Sequence, residues 1–236
     1  MPRAPLWKSI ADTLQAEIAE GHYRPGDRLP TEAQLAARFG VNRHTVRHAL
    51  ASLSETGLLH ARRGAGVFVT SEPQSYPLSR RVRFHQNVAA SGRTPSRQIL
   101  RLETRACDGR EAAALDLSKG AQVHVMEGLS LADGVALAAF RSVFPADPLP
   151  GLLAELDRTG SVTAALATCG VPDYTRASTR LTATAARATL ALQLRLPEGA
   201  PILRSVAINH DPAGRPIEYG TTWFAGDRVE LTVTPD

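Results

Sequence analysis

Arg43 and Arg47 stand one helical turn apart with His44 and Thr45 between them, in a stretch from Val41 to Thr70 whose single acid is Glu55. A guanidinium is a planar fork of donors that matches phosphate oxygens or the edge of a guanine, so two on one helix side can be offered to one groove. Further on, Arg62 and Arg63 precede the tripeptide Gly64-Ala65-Gly66. Small residues at a tip let the backbone approach another surface closely, which brings flanking arginines within reach of phosphates or a groove. The chemistry on offer is the gripping of a polyanion. A merely solvated helix face would look similar, so the surrounding elements have to decide.

A second group lies in "TRASTRLTA", residues 175–183. In a regular strand Arg176, Ser178 and Arg180 share one face, where guanidiniums and a hydroxyl could hold a phosphate or phosphonate through charge-assisted hydrogen bonds. The same alternation suits a plain solvent face of an antiparallel sheet.

These residues need elements to position them. Trp7, Ile10, Ala11, Leu14 and Ile18 form one stripe of an amphipathic helix that Gly21 and Pro25-Gly26-Asp27 stop. Thr31 and Gln34 fit a capping box that opens a short helix through Leu35 and Phe39, ended by Gly40. Asn42 caps a third helix with the stripe Val46, Ala49, Leu50 and Leu53, which leaves Arg43, His44, Arg47 and His48 on its other side. Leu58–Ala61 and Val67–Thr70 then pair as two short strands around the glycine tip. Two short helices joined by a tight turn and followed by a hairpin describe a winged helix-turn-helix over residues 1–70. "SEPQSYPLS", residues 71–79, is polar and aperiodic and reads as a linker.

Residues 80–236 change in character to alternating strands and short helices, and they contain an internal repeat. Leu115, Leu117, Gly120, Ala121 and Val123 fall opposite Leu194, Leu196, Gly199, Ala200 and Ile202 at a constant offset of 79 residues. Each copy reads as helix, turn, strand, hairpin turn, strand. Two such units sharing one antiparallel sheet give an α+β domain with helices packed on it. Glu218 and Tyr219 replace Ala138 and Ala139 of the first copy, so either a ligand or a structural hydrogen bond has to satisfy the polar pair.

Composition narrows the possible functions. No apolar run reaches the length of a membrane span, and "MPRAPLWKSI" lacks the features of a signal peptide, so a cytoplasmic location is expected. Cys107 and Cys169 stand in no metal-ligand spacing, and no metal, cofactor or catalytic constellation is expected.

The run "LPTEAQLAARFGVNRHTVRHALASLSETGLLHARRGAGVFV" resembles the N-terminal domain of the GntR family of bacterial transcription regulators. The resemblance rests on Leu29-Pro30-Thr31-Glu32, Arg43-x-Thr45-Val46-Arg47, Gly57-Leu58 and Gly64-x-Gly66. It implies double-stranded operator DNA as a partner, with Thr45 on phosphate, Arg43 and Arg47 in the major groove, and the wing, with Arg62 and Arg63, in the minor groove. Thr31 and His44 belong to the same expected surface. Ala33 stands where many members carry a DNA-contacting arginine, so that contact is expected to be missing or supplied by Arg28. The second half is similar to the effector domain (UTRA) of the HutC branch, with the chorismate-lyase fold, through "RFHQNVAASGRTP" and "RPIEYGTTWFAGDRVEL". Residues 175–183 are most similar to regulators of phosphonate metabolism (PhnF-type). That likeness adds Arg93 and Thr94, in the loop where relatives bind effector, to Arg176, Ser178, Arg180, Glu218 and Tyr219 as candidate effector ligands. Sugar-phosphate-sensing relatives carry Arg-x-Arg where this chain has Gly128 and Ser130; Arg141 on the neighbouring strand is the candidate substitute.

The expected function is a homodimeric, ligand-responsive transcription repressor released from DNA by a small anionic effector, a phosphonate or a phosphate-bearing metabolite. An enzyme of lyase-like fold acting on a small anionic substrate is the alternative. A structural DNA binder without effector leaves the second half without a role.

Overall fold

The computed structural model describes residues 5–62, 64, 66–70, 73–79, 81 and 83–233. The chain divides into two compact units, residues 1–72 and 73–236.

In the first unit, α1 (Leu6–Ala19), α2 (Glu32–Phe39) and α3 (Arg43–Glu55) precede a hairpin of β1 (Leu59–Arg62) and β2 (Gly66–Val69). The apolar stripes meet as the spacing predicts: Ile10, Ala11 and Leu14 of α1 pack with Val46, Ala49, Leu50 and Leu53 of α3, and Leu14 and Val46 are fully buried. The α2–α3 turn is tight because Gly40 takes a left-handed φ of 65°, which a residue with a Cβ adopts at a cost. The Asn42 side chain then accepts a hydrogen bond from the Thr45 N–H and starts α3. β1 and β2 pair antiparallel from Leu59 opposite Val69 to Arg62 opposite Gly66. Leu29 N–H donates to Val67 O and Val69 N–H to Asp27 O, so the segment before α2 lies along the hairpin.

The second unit runs β3 (Gln74–Pro77), α4 (Phe84–Ala90), β4 (Pro95–Ala106), α5 (Gly109–Ala114), β5 (Gln122–Ala132), β6 (Val135–Pro145), α6 (Leu152–Thr159), α7 (Val162–Thr168), β7 (Thr175–Ala185), α8 (Ala188–Leu194), β8 (Pro201–His210), β9 (Pro216–Ala225) and β10 (Val229–Thr232). Six strands form one antiparallel sheet in the order β4-β5-β6-β9-β8-β7. This order reads the repeat directly. β4-α5-β5-β6 and β7-α8-β8-β9 are two copies of one β-α-β-β unit, meeting at β6 and β9 about an approximate twofold. The repeated leucines serve the same purpose in each copy: Leu115 and Leu194 are buried beneath the ends of α5 and α8 on one face of the sheet. The other face is covered by α6 and α7, whose Leu156 and Leu166 pack with Met126 and Phe144, and by α4 beside Ala138 and Phe224.

The linker reading of residues 71–79 needs correction. Gln74–Pro77 is a strand, paired in parallel with Val229–Thr232, and Tyr76 is buried against Phe84 and Phe224. Four residues are too few for alternation to show in sequence, and a two-stranded edge tolerates the terminal proline.

Candidate functional site

The basic face of the first unit is built by α3. Arg43, His44 and Arg47 are exposed and Thr45 is half-buried. Thr45 donates its hydroxyl to Asn42 Oδ1 at 2.9 Å, and Thr31 is the N-cap of α2, closing the expected capping box with Gln34. Both hydroxyls are therefore positioned at helix starts, where backbone N–H groups favour anions. His48, on the same side as the arginines by spacing, instead stacks on Trp7 of α1 with ring centroids 4.3 Å apart.

Arg47 is held by a group that the sequence reading did not bring to it. Its Nε and Nη2 donate to the two carboxylate oxygens of Glu32 at 3.0 and 2.7 Å, and the guanidinium beside Glu32 holds that carboxyl below the usual range. Arg28 is exposed and lies against the wing: a Cβ built on Gly66 would come within 2.8 Å of Arg28 Nε, and Gly66 has a φ of 115°. Gly64 also has a positive φ, 75°. Both wing glycines thus occupy backbone regions that side chains disfavour. The side chain of Arg62, and the whole of Arg63, lie outside the described residues.

In the second unit a cavity of about 390 Å³ opens between the sheet, α4 and α7. Of the eight candidate effector residues it collects Arg176 and Glu218. Arg176 Nε donates to Asn209 Oδ1 at 2.7 Å and its Nη1 to Thr179 Oγ1 at 3.1 Å. Glu218 is buried, and its oxygens accept from Ser142 Oγ at 2.6 Å and Asn209 Nδ2 at 2.7 Å. Its polar character is thus satisfied within the protein on two of a carboxylate's roughly four acceptor positions.

The remaining six lie elsewhere. The register of β7 on β8 shifts between Arg176 and Ser178, so Ala177 is an extra residue. One extra residue moves every later side chain to the opposite face. Arg176 therefore faces the cavity with Thr179, while Ser178 and Arg180 face the other side of the sheet. Arg180, Arg141 and Tyr219 line a separate groove there. Arg141 is committed to Glu111, to whose Oε1 it donates at 2.7 Å. Arg93 and Thr94 hold the β5–β6 turn, Arg93 Nε donating to Asp133 Oδ2 at 2.7 Å and Thr94 N–H to Asp133 Oδ1 at 2.9 Å.

The cavity holds residues that the sequence reading missed. Arg97 lies between the rings of Phe140 and Phe84, 4.8 and 5.8 Å from their centroids. Its Nε and Nη1 are shielded from solvent and reach no hydrogen-bond partner among the described residues. Burial pulls its pKa down, opposed by the charge of Glu218. His85 is held below its ordinary pKa by burial and then by Arg97, which keeps it neutral near pH 7. Arg83 closes another wall, donating to Asp173 at 2.6 Å and lying over the ring of Tyr174. The sequence did carry a signal for Arg97. It stands 79 residues before Arg176, and the two pair with equivalent partners, Arg97 opposite Ser130 and Arg176 opposite Asn209. Gly128, at the other position of the missing Arg-x-Arg, is crowded: a Cβ there would collide with Gln98 O and lie 2.9 Å from the Phe140 ring.

Comparison with known proteins agrees with both halves. Residues 6–69 match the family described as bacterial regulatory proteins, gntR family, and residues 90–230 match the UTRA domain. The chain is 39% identical over 229 residues to an uncharacterized HTH-type transcriptional regulator, RB1450, of Rhizobium meliloti, covering 97% of this chain and 94% of that protein. It is 36% identical over 228 residues to the probable transcriptional regulator PhnF of Escherichia coli, covering 96% and 94%. The crystal structure of PhnF from Mycobacterium smegmatis superposes with a TM-score of 0.67 at 26% identity, over 96% of this chain and 99% of that one. The chain therefore belongs to the GntR family, in its UTRA-bearing HutC branch and of PhnF type, and is a transcription regulator rather than an enzyme.

Proposed function

We propose that the protein is a homodimeric repressor that grips its operator through α3 and the wing of residues 1–70, and that residues 80–236 release it when a small phosphonate or phosphate-bearing anion enters the cavity. Arg97 carries the effector half of this reading. Two guanidinium nitrogens shielded from solvent and left without an acceptor are costly unless something completes them, and an oxyanion is their natural complement. The groove on the opposite face is the weaker candidate. Arg180 there is exposed, so water already serves it, and the charge of Arg141 is met by two carboxylates, its Nη2 donating to Glu111 and its Nε lying 3.4 Å from Glu127 Oε1. Arg97 is thus the anion-binding residue of the reading, and Arg176, already donating to Asn209 and Thr179, lines the same cavity.

For DNA, Arg43, His44 and Arg47 supply the groove-facing side, Thr31 and Thr45 mark the helix starts, and Arg28, Arg62, Arg63, Gly64 and Gly66 form the wing side. A dimer would read half-sites roughly 34 Å apart. Because Arg47 begins in a fork with Glu32, it docks either as that pair or after exchanging the carboxylate for a base. Arg47→Ala is expected to weaken operator binding by about 1–3 kcal/mol and relax sequence preference, measured by titration against selected and random duplexes. Unchanged affinity would remove Arg47 from the reading face.

The decisive experiment is a thermal-shift panel of inorganic phosphate, alkylphosphonates, sugar phosphates and amino acids, followed by DNA release. A ligand at about 100 times its dissociation constant adds roughly 2.7 kcal/mol. Stabilisation by uncharged or cationic compounds alone would rule out an anion pocket.

A further inference from the structure

The two copies of the repeat make the cavity a duplicated cradle whose halves have diverged. On the Arg97 side stand Ser130, Ala138 and Phe140; at the equivalent places on the Arg176 side stand Asn209, Glu218 and Gly220. The substitutions have opposite consequences for charge. On the first side an aromatic ring covers the guanidinium and no acceptor answers it, so an anion is wanted. On the second side Arg176 is answered by Asn209, which in turn donates to Glu218, leaving a carboxylate at the cavity wall. Gly220 keeps that carboxylate accessible: the nearest atom to a Cβ built there is Glu218 Oε1, at 3.7 Å. Glu218, Arg97 and Tyr174 line the same cavity, yet no hydrogen bond joins Glu218 to Arg97. A ligand that filled only the Arg97 side would bring its negative charge near the Glu218 carboxylate, whose remaining acceptor positions no described residue fills.

We propose that the cavity selects a zwitterion, a small molecule whose anionic head is taken by Arg97 and whose ammonium group donates to the free acceptor positions of Glu218. This rests on the reading of the cavity as an anion pocket and adds a specificity-determining residue to it. Ser142 and Asn209 then act as positioning residues, fixing the carboxylate by occupying its other acceptor positions.

Isothermal titration of the full chain separates the two claims. 2-Aminoethylphosphonate and 3-aminopropylphosphonate are compared with propylphosphonate and butylphosphonate, which match them in length but replace the ammonium by a methyl group. One of the amines is expected to bind at least about tenfold more tightly than its alkyl counterpart, the yield of one charge-assisted hydrogen bond. In Glu218→Gln that ratio should fall to about twofold or less, while alkylphosphonate affinity is kept or improved because a like charge has been removed. Alkylphosphonates that bind as well as or better than both amines overturn the zwitterion and leave the anion pocket standing. A ratio unchanged in Glu218→Gln overturns Glu218 as its source. Failure of all four compounds and of inorganic phosphate to bind overturns both readings. Should Glu218→Gln not fold, the comparison on the unmodified chain decides alone.

Discussion

Arg97→Met is expected to raise the dissociation constant for a phosphonate or phosphate ligand by at least about thirtyfold, near the lower end of the 2–5 kcal/mol lost when one member of a buried charge pair is removed. The unliganded protein should lose nothing and gain about 1 kcal/mol. The two signs differ because Nε and Nη1 of the guanidinium have no hydrogen-bond acceptor until the ligand arrives. Without ligand it is a desolvated charge with two idle donors, and a well-packed apolar side chain of similar length is often the more stable choice. Methionine suits the position because its sulfur keeps favourable contact with the rings of Phe84 and Phe140. Chemical denaturation with and without ligand, together with calorimetric titration, measures both halves. A variant several kcal/mol less stable than its parent in the absence of ligand would mark Arg97 as a structural residue and remove the anion pocket.

Glu111 should behave in the opposite way. It is 1% exposed, yet it collects four hydrogen bonds: two from Arg105 at 2.7 Å, one from Arg141 at 2.7 Å and one from the Asp108 N–H at 2.9 Å. It thereby ties α5 to β4 and β6 and completes the capping box that starts the helix. Glu111→Ala is expected to cost about 3–5 kcal/mol, since it leaves two guanidiniums and a helix-start N–H without their acceptor. The Arg105 hydrogen bonds, aided by the Asp108 N–H and the charges of both arginines, hold the carboxyl below its ordinary pKa against the opposing effect of burial. A depressed folded-state pKa contributes stability that is complete above the unfolded value of about 4.3 and is lost as the pH falls through the folded value. The stability difference between parent and Glu111→Ala should therefore be large at pH 7 and shrink as acid titrates the pair. Denaturant titrations at pH 7 and in the acid range check this, and an undiminished difference in acid would assign the cost to packing instead.

Much of the first unit was legible in the sequence because its signals are local. A helix stripe at i, i+3, i+4 and i+7, a Thr31–Gln34 box and an Asn42 cap are each settled within a few residues, and the structure realises all three. The Arg47–Glu32 fork was not legible, because it joins two helices and depends on their packing. In the second unit the 79-residue repeat foretold a shared sheet with a helix per copy, and it also contained Arg97 as the counterpart of Arg176. Arg97 sits in β4, before the stretch in which the leucine and glycine pattern recurs, so nothing local marks it.

The amino-acid sequence by itself determined the two-part architecture, the three helices of the first unit, the basic face of α3 and the duplicated unit, since each follows from short-range periodicity, capping or self-similarity. Only the tertiary structure decided which polar residues share a cavity. A single extra residue at Ala177 sends Arg176 inward and Arg180 outward, and no pattern within one strand reveals a bulge that exists only relative to its partner. Strand register and the burial of Arg97 are properties of chains brought together from distant positions, which is why they had to be seen in three dimensions.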